Sequence, residues 1–180
     1  KMTLSFLNTL KNELGNFYLI PEGGTNELAT KGCEEILIEE DKTFDIICSP
    51  VGTGGTISGL INASQPHQKI LGFPALKGDY LQKEIINFTV TSNWELVTDY
   101  HFGGYAKINC TLVEFINRFK QEYNIPLDPI YTGKMMFGIF DLIKKGYFEK
   151  GAKILAIHTG GLQGMDGMNI KLKQKNLPLI

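Results

Sequence analysis

The chain has no Cys-x-x-Cys pair. Its three cysteines, Cys33, Cys48 and Cys110, are odd in number and far apart. They support neither a disulfide framework nor a zinc site, and no metal is expected. Cys48 ends an apolar stretch and reads as a small buried hydrophobe, in keeping with a reducing cytoplasm. Long apolar runs are absent too. Phe44–Cys48 and Ile154–Ile157 are the longest, which is strand length and far short of a membrane span. The net charge is -1, with no dense Lys/Arg patch, so neither nucleic acid nor membrane is an expected partner. The first residues lack the unbroken apolar core and small-residue cleavage site of a secretory leader, and a cytoplasmic location is expected. Internal repeats and low-complexity segments are missing.

Two nucleotide motifs are also missing. Counted from Gly52, the third glycine of a dinucleotide fingerprint falls on Ile57, and no Gly-Lys-Ser/Thr follows to make a Walker A loop. Asp79 lies at about the right distance to be a ribose-binding acid. It follows Lys77-Gly78, however, instead of ending a strand. A nicotinamide-dependent oxidoreductase is therefore disfavoured.

What is present is Gly52-Thr53-Gly54-Gly55-Thr56, between an apolar strand and a helix. Glycines clear space around closely spaced backbone N–H groups, the helix adds its positive end, and two threonines add hydroxyls. One reading is a purely structural strand-to-helix turn. The other is a site for the phosphate of a small ligand or cofactor.

With 180 residues the chain can bury one real core. Leu4, Leu7, Leu10 and Leu14 recur at helical spacing, stopped by Gly15. Phe17–Ile20 reads as a short strand. Thr25 or Asn26 caps a helix running to about Glu40, whose acidic surface is solvated. Further strands are expected at Phe44–Ser49, Lys69–Pro74, Trp94–Thr98 and Lys153–His158. Further helices are expected at Thr56–Ser64, Asp79–Phe88, Ala106–Tyr123 and Tyr131–Lys145, with a loop at Ile125–Pro129 forced by two prolines. The alternation of apolar strands with helices predicts an α/β fold, a three-layer open mainly parallel sheet with helices on both faces. Three glycine loops, Glu22–Thr25, Val51–Thr56 and Thr159–Gly161, then fall on one rim beyond the strand ends, where such sheets bind ligands.

Several stretches carry a family resemblance. Val51–Thr56 is similar to the phosphate loop of the pyridoxal-phosphate enzymes related to tryptophan synthase β-subunit and cysteine synthase. "PEGGTNELATKG" (Pro21–Gly32), "DPIYTGKMMFGIFDLI" (Asp128–Ile143) and "HTGG" (His158–Gly161) resemble the 1-aminocyclopropane-1-carboxylate deaminase / D-cysteine desulfhydrase family, in matching order and approximate spacing. The resemblance covers the chain from about Phe17. Asp-Pro-x-Tyr-Thr-Gly-Lys is its specific motif, and the glycine loop is shared more widely.

The resemblance implies pyridoxal 5'-phosphate as cofactor, a small amino-acid substrate and a homodimer. It implies that Gly52, Thr53, Gly54, Gly55 and Thr56 bind the cofactor phosphate, and that Tyr131 and Tyr105 are active-site tyrosines. At Tyr105 the family usually has Gly-Tyr-Gly, whereas Ala106 stands here. It places Thr132 against the pyridine nitrogen, where ring-opening members carry Glu. A carboxylate favours a protonated ring and a strong electron sink. A hydroxyl gives a weaker sink, suited to β-elimination from a substrate with a good leaving group. The implied reaction is release of ammonia and a 2-oxo acid, desulfhydrase-like in preference to ring opening. Asn26, His158, Thr159 and Gly160 are rim candidates, although a lone histidine is more often structural. His67 and His101 carry no motif, and Lys134 reads as local structure.

One component is not found. The family needs a lysine that bonds covalently to the cofactor, in a Gly-Gly-Asn-Lys-like stretch followed by a Ser-Asn-His-like loop. No lysine here has that context. The expectation is that residues 1–16 end a small domain or form a linking helix. Residues 17–180 would then form the cofactor-binding large domain without its lysine-bearing segment, inactive alone. The alternative is a non-catalytic phosphate-ligand-binding domain or a degenerate enzyme fragment.

Overall fold

The structure, a computed structural model, describes residues 3–180. Lys1 and Met2, the start of the expected 1–16 segment, lie outside the described residues. Four parallel strands form one sheet: β1 (Ile46–Val51), β2 (Lys69–Pro74), β3 (Trp94–Leu96) and β4 (Ile154–Ala156), in the order β3-β2-β1-β4. Ile46 pairs with both Lys69 and Ile154, so the strand carrying the glycine loop is central. Pairing of the last strand with β1 places both of their following loops on one edge.

Both faces of the sheet are covered, which explains the unbroken apolar strands. Ile47 and Val51 of β1 and Ile70 of β2 point to one face. There they meet Ile57 and Ile61 of α3 (Gly55–Ala63) and Leu81 and Ile85 of α4 (Tyr80–Ile86). Cys48, Leu71 and Phe73 point to the other face, against Met135, Ile139 and Leu142 of α6 (Thr132–Lys144). That i, i+4, i+7 spacing is the apolar stripe of an amphipathic helix. Each such side chain contributes about 1.5–3 kcal/mol by leaving water. Burial also pushes the Cys48 thiol up to about 12, as expected of an inert core residue. Outside α6 lies α5 (Cys110–Tyr123), bound through Leu112, Phe115, Ile116 and Phe119. Phe115 meets the Phe137 and Phe140 rings edge-on.

The three-layer parallel fold is as expected, with differences at element ends. Phe17–Ile20 is not a strand, and Tyr18 is 71% exposed. It pairs with no strand among the described residues. The helix after Asn26 stops at Cys33 (α2, Glu27–Cys33). Leu37 turns inward to pack against the Ile47–Ile61 core with an extended backbone, so the helix cannot continue to Glu40. The expected helix from Ala106 begins at Cys110. Asn109 accepts a hydrogen bond from the Leu112 amide, and Ala106 has φ 53°. A terminal helix, α7 (Met165–Gln174), was not foreseen. The first helix, α1 (Leu4–Leu14), ends at Gly15 as expected but buries no residue. Among the described residues no helix is long and apolar enough to cross a membrane.

Close packing of α2 on α3 depends on Gly59. A Cβ there would fall 2.6 Å from the Thr30 carbonyl oxygen and 2.7 Å from the Cys33 carbonyl carbon. Backbone cannot rotate away as a side chain can. Gly59→Ala is expected to cost about 1–3 kcal/mol of stability, read from the urea unfolding midpoint. An unchanged midpoint would mean that α2 is free to move.

Candidate active site

Beyond the carboxyl ends of β1 and β4 lies a cleft of about 660 Å³. All three rim loops line it: Glu22–Thr25 before α2, Val51–Thr56 between β1 and α3, and Thr159–Gly161 after β4. Tyr105 and Tyr131 line it as well. The rim read from the sequence is thus assembled by the sheet.

The strand delivers the glycine loop and Gly54 turns it. Its φ of 98° is one that only glycine adopts readily. The amides of Gly54, Gly55, Thr56 and Ile57 then fall in the first turn of α3, where no intrahelical acceptor exists. Among the described residues none donates to another backbone carbonyl. The positive end of the helix reinforces them. Side chains would fill this hollow: a Cβ on Gly55 would fall 2.9 Å from Thr25 Oγ1, and one on Gly52 would fall 3.3 Å from the Tyr131 hydroxyl. Free amides around space kept open by glycine fit a phosphate. The Thr25 and Thr53 hydroxyls share a 2.6 Å hydrogen bond, tying the first rim loop to the glycine loop.

Facing this hollow, the Tyr105 and Tyr131 rings stand 6.2 Å apart at 65°. Burial, with Tyr105 alongside, pushes the Tyr131 phenol up to about 12. It therefore holds its proton at neutral pH. Tyr105 is 54% exposed.

The Asp128 carboxylate aims Tyr131. Oδ1 accepts from the amides of Ile130 and Tyr131 at 2.9 and 2.8 Å. Oδ2 accepts from the Thr132 amide and hydroxyl at 2.8 and 2.6 Å. Thr132 Oγ1 also accepts from the Asp128 amide at 2.9 Å. Thr132 is therefore fully buried with its hydroxyl engaged, and it does not line the cleft. The Asp128 carboxylate holds the hydroxyl that the expected placement would turn toward a cofactor ring. Thr159 is exposed on the rim, and its hydroxyl has no protein partner among the described residues.

The remaining candidates divide. Gly160 lines the cleft. Asn26 does not; its Oδ1 accepts from the Ala29 amide and caps α2. His158 accepts from the Gly160 amide at Nδ1, so Nε2 carries the proton and donates 2.9 Å to the Pro126 carbonyl. It braces the rim against the loop before Asp128. Lys134, 2% exposed, donates to the carbonyls of His101 and Gly104, away from the cleft. Burial lowers its pKa to about 8, opposed by the charge of Asp128. No lysine is among the residues lining the cleft, and no metal-binding cluster occurs among the described residues. Two contributors went unassigned from sequence, Thr25 and Asp128. The first followed Gly23-Gly24 in a rim loop already singled out. The second had a threonine four residues on, a capping arrangement.

These elements make a cleft at the carboxyl edge of a parallel sheet whose free amides fit a phosphate, approached by two tyrosines. The comparisons narrow that class. The chain belongs to the pyridoxal-phosphate dependent enzymes, whose family model matches residues 2–160. It is 36% identical over 173 residues to a protein of Pyrococcus horikoshii provisionally named 1-aminocyclopropane-1-carboxylate deaminase, covering 86% of this chain and 52% of that one. It is 30% identical to the Arabidopsis thaliana mitochondrial protein named bifunctional D-cysteine desulfhydrase/1-aminocyclopropane-1-carboxylate deaminase, covering 91% and 46%. A crystal structure described as an ACC deaminase homologue superposes with TM-score 0.79 at 32% identity, covering 94% of this chain and 57% of that one. Tomato threonine deaminase isoform 2, at TM-score 0.57 and 17% identity, shares the fold. The chain spans about half the length of the curated relatives it matches.

Two outcomes follow from this geometry. Thr132→Val orphans buried partners at Asp128 and is expected to cost about 1–3 kcal/mol of stability in a urea titration; no loss would mean that the Asp128 network is not formed. Lys134 has a folded pKa of about 8, below its ordinary 10.5. Below pH 8 both states hold the proton and the burial cost is carried in full. Between pH 8 and 10.5 the unfolded state binds the proton and the folded state does not, so stability rises with pH. Relative to Lys134→Met, the native chain should gain stability across that window and show a flat difference below it, measured as urea midpoints across pH.

Proposed function

We propose that this chain supplies the cofactor-binding face of a pyridoxal 5'-phosphate enzyme that releases ammonia and a 2-oxo acid from a small amino acid. The proposed reaction is α,β-elimination of the D-cysteine desulfhydrase kind, in preference to opening 1-aminocyclopropane-1-carboxylate. The observation that carries the reading is the glycine-lined hollow at the head of α3, facing the Tyr105–Tyr131 pair. The relatives' names support the substrate class.

In this reading the amides of Gly54–Ile57 and the Thr56 hydroxyl hold the phosphate. Thr159, with a free hydroxyl on the opposite rim, would be the residue to donate to the pyridine nitrogen. When bound, the cofactor supplies an electron sink for the substrate's α-carbon. A hydroxyl at the nitrogen makes that sink weaker than a carboxylate would, which favours a substrate with a good leaving group. The acidic side chain among the lining residues, Glu22, belongs to the first rim loop. Tyr131 keeps a proton on its hydroxyl and offers it to the substrate, while Tyr105 flanks the entrance. The bulk of the cleft wall is backbone and small side chains, which suits a small amino acid. The working enzyme is a cytoplasmic homodimer in this reading. Leu4, Phe6, Leu14, Tyr18 and Ile20 are exposed apolar side chains that an assembly would cover.

The complete translated protein is expected to form pyruvate from D-cysteine faster than 2-oxobutyrate from 1-aminocyclopropane-1-carboxylate. The reverse order would overturn the preference, and neither product would overturn the reading. The 180-residue chain alone is expected to bind pyridoxal phosphate in competition with inorganic phosphate. Borohydride reduction and peptide mapping should then label no single lysine. A specific label on Lys107 or Lys134 would contradict this.

A further inference from the structure

Lys134 lies on α6 three residues beyond Tyr131 and points away from the cleft. Its Nζ donates 2.8 Å to the His101 carbonyl and 2.8 Å to the Gly104 carbonyl. It forms no ion pair among the described residues. A buried ammonium whose hydrogen-bond partners are neutral carbonyls, with only the nearby Asp128 charge to offset its burial, is costly, and an apolar side chain of similar length would pack more cheaply.

The segment it grips is strained. Phe102, Gly103, Gly104 and Ala106 all have positive φ, at 54°, 95°, 116° and 53°. Phe102 and Ala106 take this conformation at a steric cost of about 1 kcal/mol or more each. Two successive turns hold it: the Gly104 amide donates to the His101 carbonyl at 3.0 Å, and the Lys107 amide donates to the Gly104 carbonyl at 3.1 Å. The two acceptors that close these turns are the two that Lys134 binds. Tyr105 follows the second of them directly. Lys134 also shares its helix with the residue that Tyr105 faces, because Tyr131 is the N-cap of α6.

We propose that Lys134 is a positioning residue: its buried ammonium pins the double turn His101–Lys107 and so holds the Tyr105 ring across the cleft from Tyr131. One helix then sets both tyrosines, Tyr131 through its first turn and Tyr105 through this clamp. The role of Tyr105 in the cleft rests on the reading above, whereas the clamp itself does not.

The test has one arm without cofactor and one with it. In Lys134→Met, which removes both hydrogen bonds to the turns, amide hydrogen exchange across residues 101–107 is expected to speed up about tenfold or more. Exchange in Gly52–Thr56 and in the rest of α6 should stay unchanged. Equal acceleration in those segments, or none at 101–107, overturns the proposal. In the second arm, Lys134→Met is expected to weaken pyridoxal phosphate binding about fivefold, with inorganic phosphate binding unaltered. In a Tyr105→Ala background that loss should vanish. A loss of the same size without the Tyr105 ring would show that Lys134 acts otherwise. If the native chain binds no pyridoxal phosphate, the cofactor reading fails, and the exchange arm still decides the clamp. Should Lys134→Met not fold, Lys134→Gln is read the same way.

Discussion

The buried carboxylate of Asp128 is the constraint on which the site depends. It takes hydrogen bonds from three successive amides and one hydroxyl. A charge 2% exposed survives only when so fully satisfied. The helix α6 begins where it does because Asp128 collects the donors of its first turn. Tyr131 therefore leaves the helix at a fixed angle, with its hydroxyl against Gly52. From the same start the Met135–Ile139–Leu142 stripe meets the sheet in register. Gly161 packs against the same side chain, with a hypothetical Cβ 3.2 Å from Asp128 Cγ, so the β4 rim rests on it as well. One side chain thus relates the tyrosine wall to the rim opposite the glycine loop.

Much of this was written locally and could be read. Gly52–Thr56, Gly23–Gly24 and Gly160–Gly161 punctuate the chain where strands or extended segments end, and parallel topology requires those ends to meet. The strand Lys69–Pro74 was legible to the residue, because a β-rich apolar run sits between a turn and a polar stretch. What could not be read depends on distant partners. Leu37 leaves a helical pattern because a core pocket formed by Ile47 and Ile61 accepts it. Phe17–Ile20 has strand-like residues but no neighbouring edge among the described residues. Thr132 sits in the motif where a cofactor contact was expected. Whether its hydroxyl faces forward or back is decided by Asp128 four residues earlier, which is a matter of rotamer and not of residue type.

The two threonines illustrate how a site reallocates the same chemistry. Thr132 and Thr159 carry identical groups, one spent on the carboxylate and amide of Asp128 and one open to the cleft. Residue identity at a motif position says that a hydroxyl is available, and hydrogen-bond accounting says to whom. Thr25 and Thr53 give a further variation, because each uses the other and together they lock two rim loops. Four hydroxyls in one neighbourhood thus perform three different tasks.

The strand order β3-β2-β1-β4 carries a consequence in time. The glycine loop follows β1, and β2, close behind it along the chain, can pair with β1 soon after. Its opposite rim is formed by β4, whose partner Ile46 lies more than a hundred residues back along the chain. Without β4 the free amides of the glycine loop would have no far wall facing them. Loop closure over such a separation comes late in parallel folds. The cleft is therefore walled on both sides only once β4 has paired with β1.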